Sequence, residues 1–97
     1  MRITVELLDA PGLGPVTAHG RDAWALLELY RAGDAGCTPI THPGPRWSGY
    51  IHKLRKLGLR IDTITERHGG PFAGHHARYV LRSRIRILED EASEVAA

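Results

Sequence analysis

Between residues 36 and 45 the chain reads Gly-Cys-Thr-Pro-Ile-Thr-His-Pro-Gly-Pro. Each proline lacks a backbone N–H and clashes with the turn before it, and each glycine costs a helix about 1 kcal/mol, so no long helix crosses this stretch. One turn is compatible with it, with Thr38 as N-cap and Pro39 in the first helical position; otherwise it is an ordered loop. Any full helix must therefore lie on one side of this segment or the other.

Both sides carry one. Arg21 to Ala32 reads as a helix, with Asp22 suited to the positive end of the dipole and Gly33 as the stop. Ala23, Leu26, Leu27 and Tyr30 share its core face, and Trp24 and Leu29 widen that stripe. A second helix opens at Pro45 or Arg46, runs to about Leu57 and stops at Gly58. Ile3, Val5 and Leu7 alternate with polar residues as a half-buried strand does. Pro11 to Pro15 breaks regular structure, and Val16 to His19 is compatible with a short strand. Leu59 to Glu66 reads as a strand, residues 67 to 76 as a Gly-rich hairpin loop, and the chain returns as a strand from Ala77. On that return Ala77, Tyr79, Leu81, Ile85 and Ile87 face one way, and Arg78, Arg82, Arg84 and Arg86 the other. The expectation is one α+β domain over residues 1–88, with an acidic tail over 89–97; 97 residues leave no room for a second core.

The net charge of +2 hides a strong asymmetry. Residues 46–86 hold ten Lys or Arg against two acids, Asp62 and Glu66, and net +8. Residues 1–45 net −2, and residues 87–97, with four acids and no base, net −4. A basic middle between acidic ends implies a surface for a polyanion.

At 100° per residue, Trp47, Tyr50, Ile51, Leu54 and Leu57 fall in one sector of the second helix. Gly49, His52, Lys53 and Lys56 fall opposite, flanked by Arg46, Ser48 and Arg55. Ordinary surface helices interleave both signs at i±4. Here no acid is present, so the cations repel one another unless a polyanion neutralises them. Long cationic side chains on a helix with an apolar back suit phosphates and base edges, and Gly49 permits close approach. Arg67, His68, His75, His76 and Arg78 cluster at or near the tip of the hairpin, adding a second basic element. Phe72, in that loop, reads as a loop anchor rather than a wedge between bases.

Other chemistries have little support. The histidines and Cys37 show neither paired cysteines nor His-x3-His spacing, so neither metal nor cofactor is expected. Cys37 lacks an acid–base partner at recognisable spacing and reads as a small core residue. Phosphate-binding, dinucleotide and nucleophile-elbow motifs are absent, and no catalytic residue is assigned. No apolar run is long enough to span a bilayer, and a membrane partner is not expected. A lone cysteine and an acid at Glu6 where a leader would be apolar lead to the expectation of a cytoplasmic protein.

Residues Arg46 to Thr63, with Leu54-Arg55-Lys56-Leu57-Gly58 at their centre, resemble the recognition helix and first wing strand of small winged helix-turn-helix domains of bacteria and prophages, the kind found in alphaproteobacteria. Ala77-Arg78-Tyr79-Val80-Leu81 is similar to the return strand of the wing, and the resemblance spans residues 20–83. It implies a winged helix that binds double-stranded DNA without catalysis, as a transcription regulator or a nucleoid or prophage accessory factor. Arg46, Ser48, His52, Lys53 and Lys56 would touch groove or phosphate, with Arg67 and His68 on the wing. In such domains a regular helix precedes the recognition helix; here Gly36 to Pro45 fills that slot, so a buttress of one turn or none is expected. The N-terminal strand is an addition, and it or Arg82 to Ile87 is the expected edge for a homodimer. The alternative is a winged helix module whose basic face meets an acidic protein partner.

Overall fold

The computed structural model describes residues 1–71 and 73–91. Strand β1 (Arg2–Leu7) alternates in burial as its sequence does, and Ile3, Val5 and Leu7 are fully buried. A 3-10 turn over Pro11–Leu13 leads into β2 (Val16–His19), which pairs antiparallel with β1. Helix α1 (Gly20–Ala32) follows and ends at Gly33, whose N–H bonds Leu29 O. Its buried residues Ala23, Ala25, Leu26, Leu27 and Leu29 pack against β1 and β2. Tyr30, placed on the core face by its spacing, is instead 46% exposed. By angle Tyr30 falls within the sector that packs, between Leu26 and Ala23, but it lies in the last turn of α1.

The Pro-rich segment forms a single turn, as one of the two sequence readings allowed. Thr38 Oγ1 accepts from the N–H groups of Ile40 (3.1 Å) and Thr41 (3.0 Å), and His42 N donates to Thr38 O at 2.9 Å. Helix α2 (Trp47–Lys56) then buries Trp47, Tyr50, Ile51 and Leu54, the face expected from the sequence. Trp47 meets Trp24 at 5.4 Å between ring centroids, Tyr50 at 5.9 Å and Tyr79 at 5.9 Å, the last as a stack. Its indole N–H donates to His42 O at 2.6 Å. One side chain thus joins α1, the Pro-rich turn, α2 and the hairpin beyond. Gly58 (φ 106°) ends α2.

Strands β3 (Ile61–His68) and β4 (Gly74–Leu81) form an antiparallel hairpin in register from Ile61↔Leu81 to His68↔Gly74. The wing loop is therefore residues 69–73, shorter than the expected 67–76. Strand pairing continues through Arg67↔His75, because no glycine or proline interrupts it before Gly69. Cys37 adds one rung to the far edge of β4, exchanging both backbone hydrogen bonds with Tyr79 at 2.9 Å.

The expected return strand is two strands in two sheets. After β4 the chain turns at Arg82–Arg84, and β5 (Ile85–Asp90) pairs with β1. The corner is fixed by Arg60: its carbonyl accepts from Arg82 N (2.8 Å) and Ser83 N (3.2 Å), and its N–H donates to the buried Ser83 Oγ (2.7 Å). β1 is thus the middle strand of the order β2-β1-β5 and is not an edge; the edges of this sheet are β2 and β5. The boundary expected at residue 88 falls inside β5, which runs through Glu89 and Asp90, and Glu91 bonds Arg2. Residues 92–97 of the expected tail, and the anchor role of Phe72, lie outside the described residues.

Gly36 is the tightest backbone position. Its φ of 69° with ψ of −175° belongs to a region used almost only by glycine, and a Cβ there would lie 2.5 Å from Tyr79 O. Gly36→Ala is expected to lose at least about 2 kcal/mol of stability in urea denaturation; a variant as stable as wild type would mean that the Cys37–Tyr79 rung is dispensable.

Candidate nucleic-acid interface

Helix α2 exposes Ser48, Gly49, His52, Lys53, Arg55 and Lys56, with Arg46 exposed just before it as N-cap. The helix itself contains no acid. Its first turn is open: Arg46 makes no side-chain cap, and a Cβ on Gly49 would meet only Arg46 Cβ, at 3.8 Å. The surface seen from outside is thus cations, a hydroxyl, an imidazole and bare backbone.

One acid reaches this face from elsewhere. Asp22 of α1 lies 3.9 Å from Lys53 Nζ, but the Lys53 side chain is 69% exposed, and an exposed ion pair at such a distance contributes little. Among the described residues, Arg46, His52 and Lys56 have no ion pair with an acid.

Arg55 points elsewhere. Its Nε (3.2 Å) and Nη2 (2.6 Å) donate to Ile61 O, and Nη2 also donates to Thr63 Oγ1 at 2.9 Å. Instead of reaching outward, the guanidinium ties the C-terminal turn of α2 to the start of β3. It braces the angle between helix and wing and covers the unpaired edge of β3 there.

The wing residues divide in the same way. Glu66 accepts from Arg78 Nε (2.9 Å) and Nη2 (2.7 Å), and from His76 Nε2 (2.7 Å); Arg78 Nη1 donates to Ala35 O at 2.7 Å. These bonds hold the Glu66 carboxyl down from 4.5 to about 2, the Arg78 guanidinium being the largest cause and the His76 ring the next. Arg78 and His76, which the sequence reading places on the contact surface, are thus bonded to Glu66 within the hairpin and remain partly exposed. His68 Nδ1 lies 2.8 Å from His76 Nδ1. Arg67 and His75 face each other in register near the tip and are exposed.

Of the other arginines of the basic middle, three bond acids, while among the described residues the exposed Arg84 side chain has no ion pair. Arg60 bonds Asp9 (2.6 Å), Arg82 bonds Asp62 (2.8 Å) and Arg86 bonds Glu6 (2.5 Å). The Asp9 carboxyl is held below its ordinary value chiefly by the Arg60 hydrogen bond. Two of these acids, Asp9 and Glu6, come from outside the basic middle and offset part of its +8; among the described residues, the cations of this stretch left facing solvent without an ion pair include Arg46 and Lys56 at α2, Arg67 on the wing and Arg84 before β5. Sequence reasoning missed Glu66 and Asp22 as the partners that select among the cations. Neither is visible before strand register and helix packing are known.

Burial pushes the Cys37 thiol up to about 11, so it is protonated at neutral pH and unsuited to nucleophilic attack. Among the described residues no three or more His, Cys, Asp or Glu are grouped to hold a metal ion. No helix among them is long and apolar enough to cross a membrane.

The lowered Glu66 value has a signed consequence. A carboxyl with a depressed folded-state pKa stabilises the fold above its ordinary value, and that contribution is lost as pH falls through the folded value. The difference in Tm between wild type and Glu66→Gln is expected to be largest above about pH 4.5 and to vanish near pH 2. A difference constant across that range would mean that the carboxylate pairing does not hold the hairpin.

A family model for a winged helix domain matches residues 15–91, from the approach to β2 through the end of β5. No curated protein and no solved structure matches the chain. Strand β1 lies before the matched region. The α1–turn–α2 order followed by the β3–β4 wing agrees with that match, and the chain belongs to the winged helix domain family.

Proposed function

We propose that this protein binds double-stranded DNA without catalysing a reaction, with α2 in the major groove and the tip of the β3–β4 hairpin as a wing on the neighbouring backbone. The observation that carries this reading is the outward face of α2. Arg46, Ser48, Gly49, His52, Lys53 and Lys56 are exposed together on a helix that has no acid of its own and a rigid aromatic back. Phosphate contacts by Lys and Arg would supply most of the affinity, and Ser48 and His52 offer short polar groups to base edges. Arg67 and His75 would supply the wing contact, while Arg55, Arg78 and His76 set the shape that presents these groups. Winged helix domains in general bind DNA, which agrees with this assignment.

In the cell the role would be that of a transcription regulator or a nucleoid or prophage accessory factor, located with the nucleoid in the cytoplasm. A second copy pairing along the outer edge of β2 or β5 would present two α2 helices to a two-fold site. Because β1 is taken on both sides, only those edges of the three-stranded sheet serve that purpose.

The test is fluorescence anisotropy with a duplex of random sequence over a salt series. Wild type is expected to bind with a steep negative slope of log K against log salt. Lys53→Ala with Lys56→Ala should abolish binding at moderate salt and flatten the slope by about 1.8 where binding is still measurable. Its Tm should stay close to wild type, since both side chains are exposed. Absence of binding by wild type at low salt would refute the reading and leave an acidic protein as the partner to seek.

A further inference from the structure

The end of α1, the corner between the two sheets and the first residue past β1 bound an open cavity of about 310 Å³. Its apolar lining comes from Leu29 of α1, Leu81 at the end of β4 and Ile85 at the start of β5. Leu8 and Tyr30 line it as well, each 46% exposed. The backbone sets its walls. Leu8 N donates to Arg84 O at 2.8 Å, Arg82 N and Ser83 N donate to Arg60 O, and Gly33 N closes the end of α1 on Leu29 O. A cavity held in this way spares a ligand the cost of ordering it. Its volume lies at the lower end of the range that small molecules occupy, ~300–1,000 Å³, which suits one ring or a short branched chain.

The side-chain polar groups of its lining residues are donors. Among the described residues the exposed Arg84 guanidinium has neither an ion pair nor a hydrogen bond, and Tyr30 Oη has no hydrogen bond. Ser83 Oγ accepts from Arg60 N at 2.7 Å and keeps its own proton to give. No acid is among the described residues that line the cavity, and the acids nearby are engaged. Asp9 accepts from Arg60 Nη2 at 2.6 Å and from Arg84 N at 3.4 Å, and Asp34, after Gly33, lies 3.9 Å from Arg82 Nη1. An arginine fork beside apolar walls suits a planar carboxylate that carries an apolar body. A phosphate would bring a second charge, and the lining holds only one cation.

We propose that this cavity binds a small apolar carboxylate, an aromatic or branched aliphatic acid, with Arg84 on the carboxylate and Leu8, Leu29 and Tyr30 against the apolar body. The site accounts for an arginine left unpaired at a corner where its neighbours Arg60 and Arg82 have acids. It accounts equally for a tyrosine that lies in the packing sector of α1 and yet stays exposed. The site shares no residue with the outward face of α2 or with the wing tip, so it stands or falls apart from the DNA-binding reading.

The experiment is an NMR titration of the whole chain, following backbone amides, with phenylacetate and with isovalerate. The corresponding amides and acetate serve as controls. At least one of the two acids should shift the amides of Leu29, Ser83, Arg84 and Ile85 saturably. Its Kd should be about 1 mM or tighter, within reach of a ligand of about seven to ten heavy atoms. The corresponding amide lacks the charge and acetate lacks the apolar body, so each should bind at least about tenfold more weakly. Arg84→Gln should weaken binding of the acid by about tenfold or more, the scale of one hydrogen bond to a charged group. Its Tm should match wild type, because the side chain is exposed and unpaired. The proposal is overturned if neither acid gives a saturable shift at these amides. It is overturned as well if the corresponding amide binds as tightly as the acid, or if Arg84→Gln binds the acid as wild type does.

Discussion

Trp47 enters the core between Trp24 of α1 and Tyr79 of β4, and its indole N–H is taken by the carbonyl of His42 in the Pro-rich turn. Four segments distant in sequence meet on this one side chain. Each aromatic pair contributes about 0.5 to 1.5 kcal/mol beyond the area it buries. More important here is geometry. In helix-turn-helix domains the helix before the recognition helix braces it, and in this chain that brace is a single turn held by Thr38 and Thr41. The indole therefore takes over the bracing, locking the start of α2 to the turn, to α1 and to the wing at once. Arg55 does the same for the end of α2 by gripping Ile61 O and Thr63 Oγ1. A helix fixed at both ends presents its outer groups in a defined direction, which reading a groove requires.

The electrostatics follow from that frame. A basic stretch netting +8 reads as one broad positive surface, but folding sorts its members. Arg86 meets Glu6 across β5 and β1, Arg82 meets Asp62 at the base of the hairpin, and Arg60 meets Asp9 between the segments that leave the two sheets. Arg78 meets Glu66 and holds the wing to the turn at Ala35. What remains outward in this stretch lies chiefly on α2, with Arg67 on the wing and Arg84 before β5. The surviving positive surface is narrower than the sequence suggests.

The helices and the core face of α2 were legible because their period is local: Trp47, Tyr50, Ile51 and Leu54 need no knowledge of the rest of the chain. The one-turn buttress was legible for the same reason, since proline chemistry limited what residues 36–45 could do. The break between β4 and β5 was hidden. Apolar residues occupy odd positions on both sides of the turn, at Leu81, Ile85 and Ile87, so the same alternation resumes across a change of sheet. Ser83, the one odd position without an apolar side chain, is where the chain turns, and its burial against Arg60 N is the reason. The roles of Arg55, His76 and Arg78 were hidden as well. Whether a cation faces solvent or an acid depends on which residues stand across a strand pair, and register is a non-local property. Tyr30 shows the limit of a helical wheel, which gives the direction of a face but not where along the helix the packing ends.

The central claim is that the outward groups of α2 form the contact surface, with the wing tip beside them. Mapping amide shift changes on adding a short duplex of random sequence tests this most directly. The account expects the largest changes at Ser48, Gly49, His52, Lys53 and Lys56, with smaller ones at Arg67 and His75 and none along β1 and β5. Changes confined to the three-stranded sheet, or a spectrum that ignores the duplex at low salt, would contradict it.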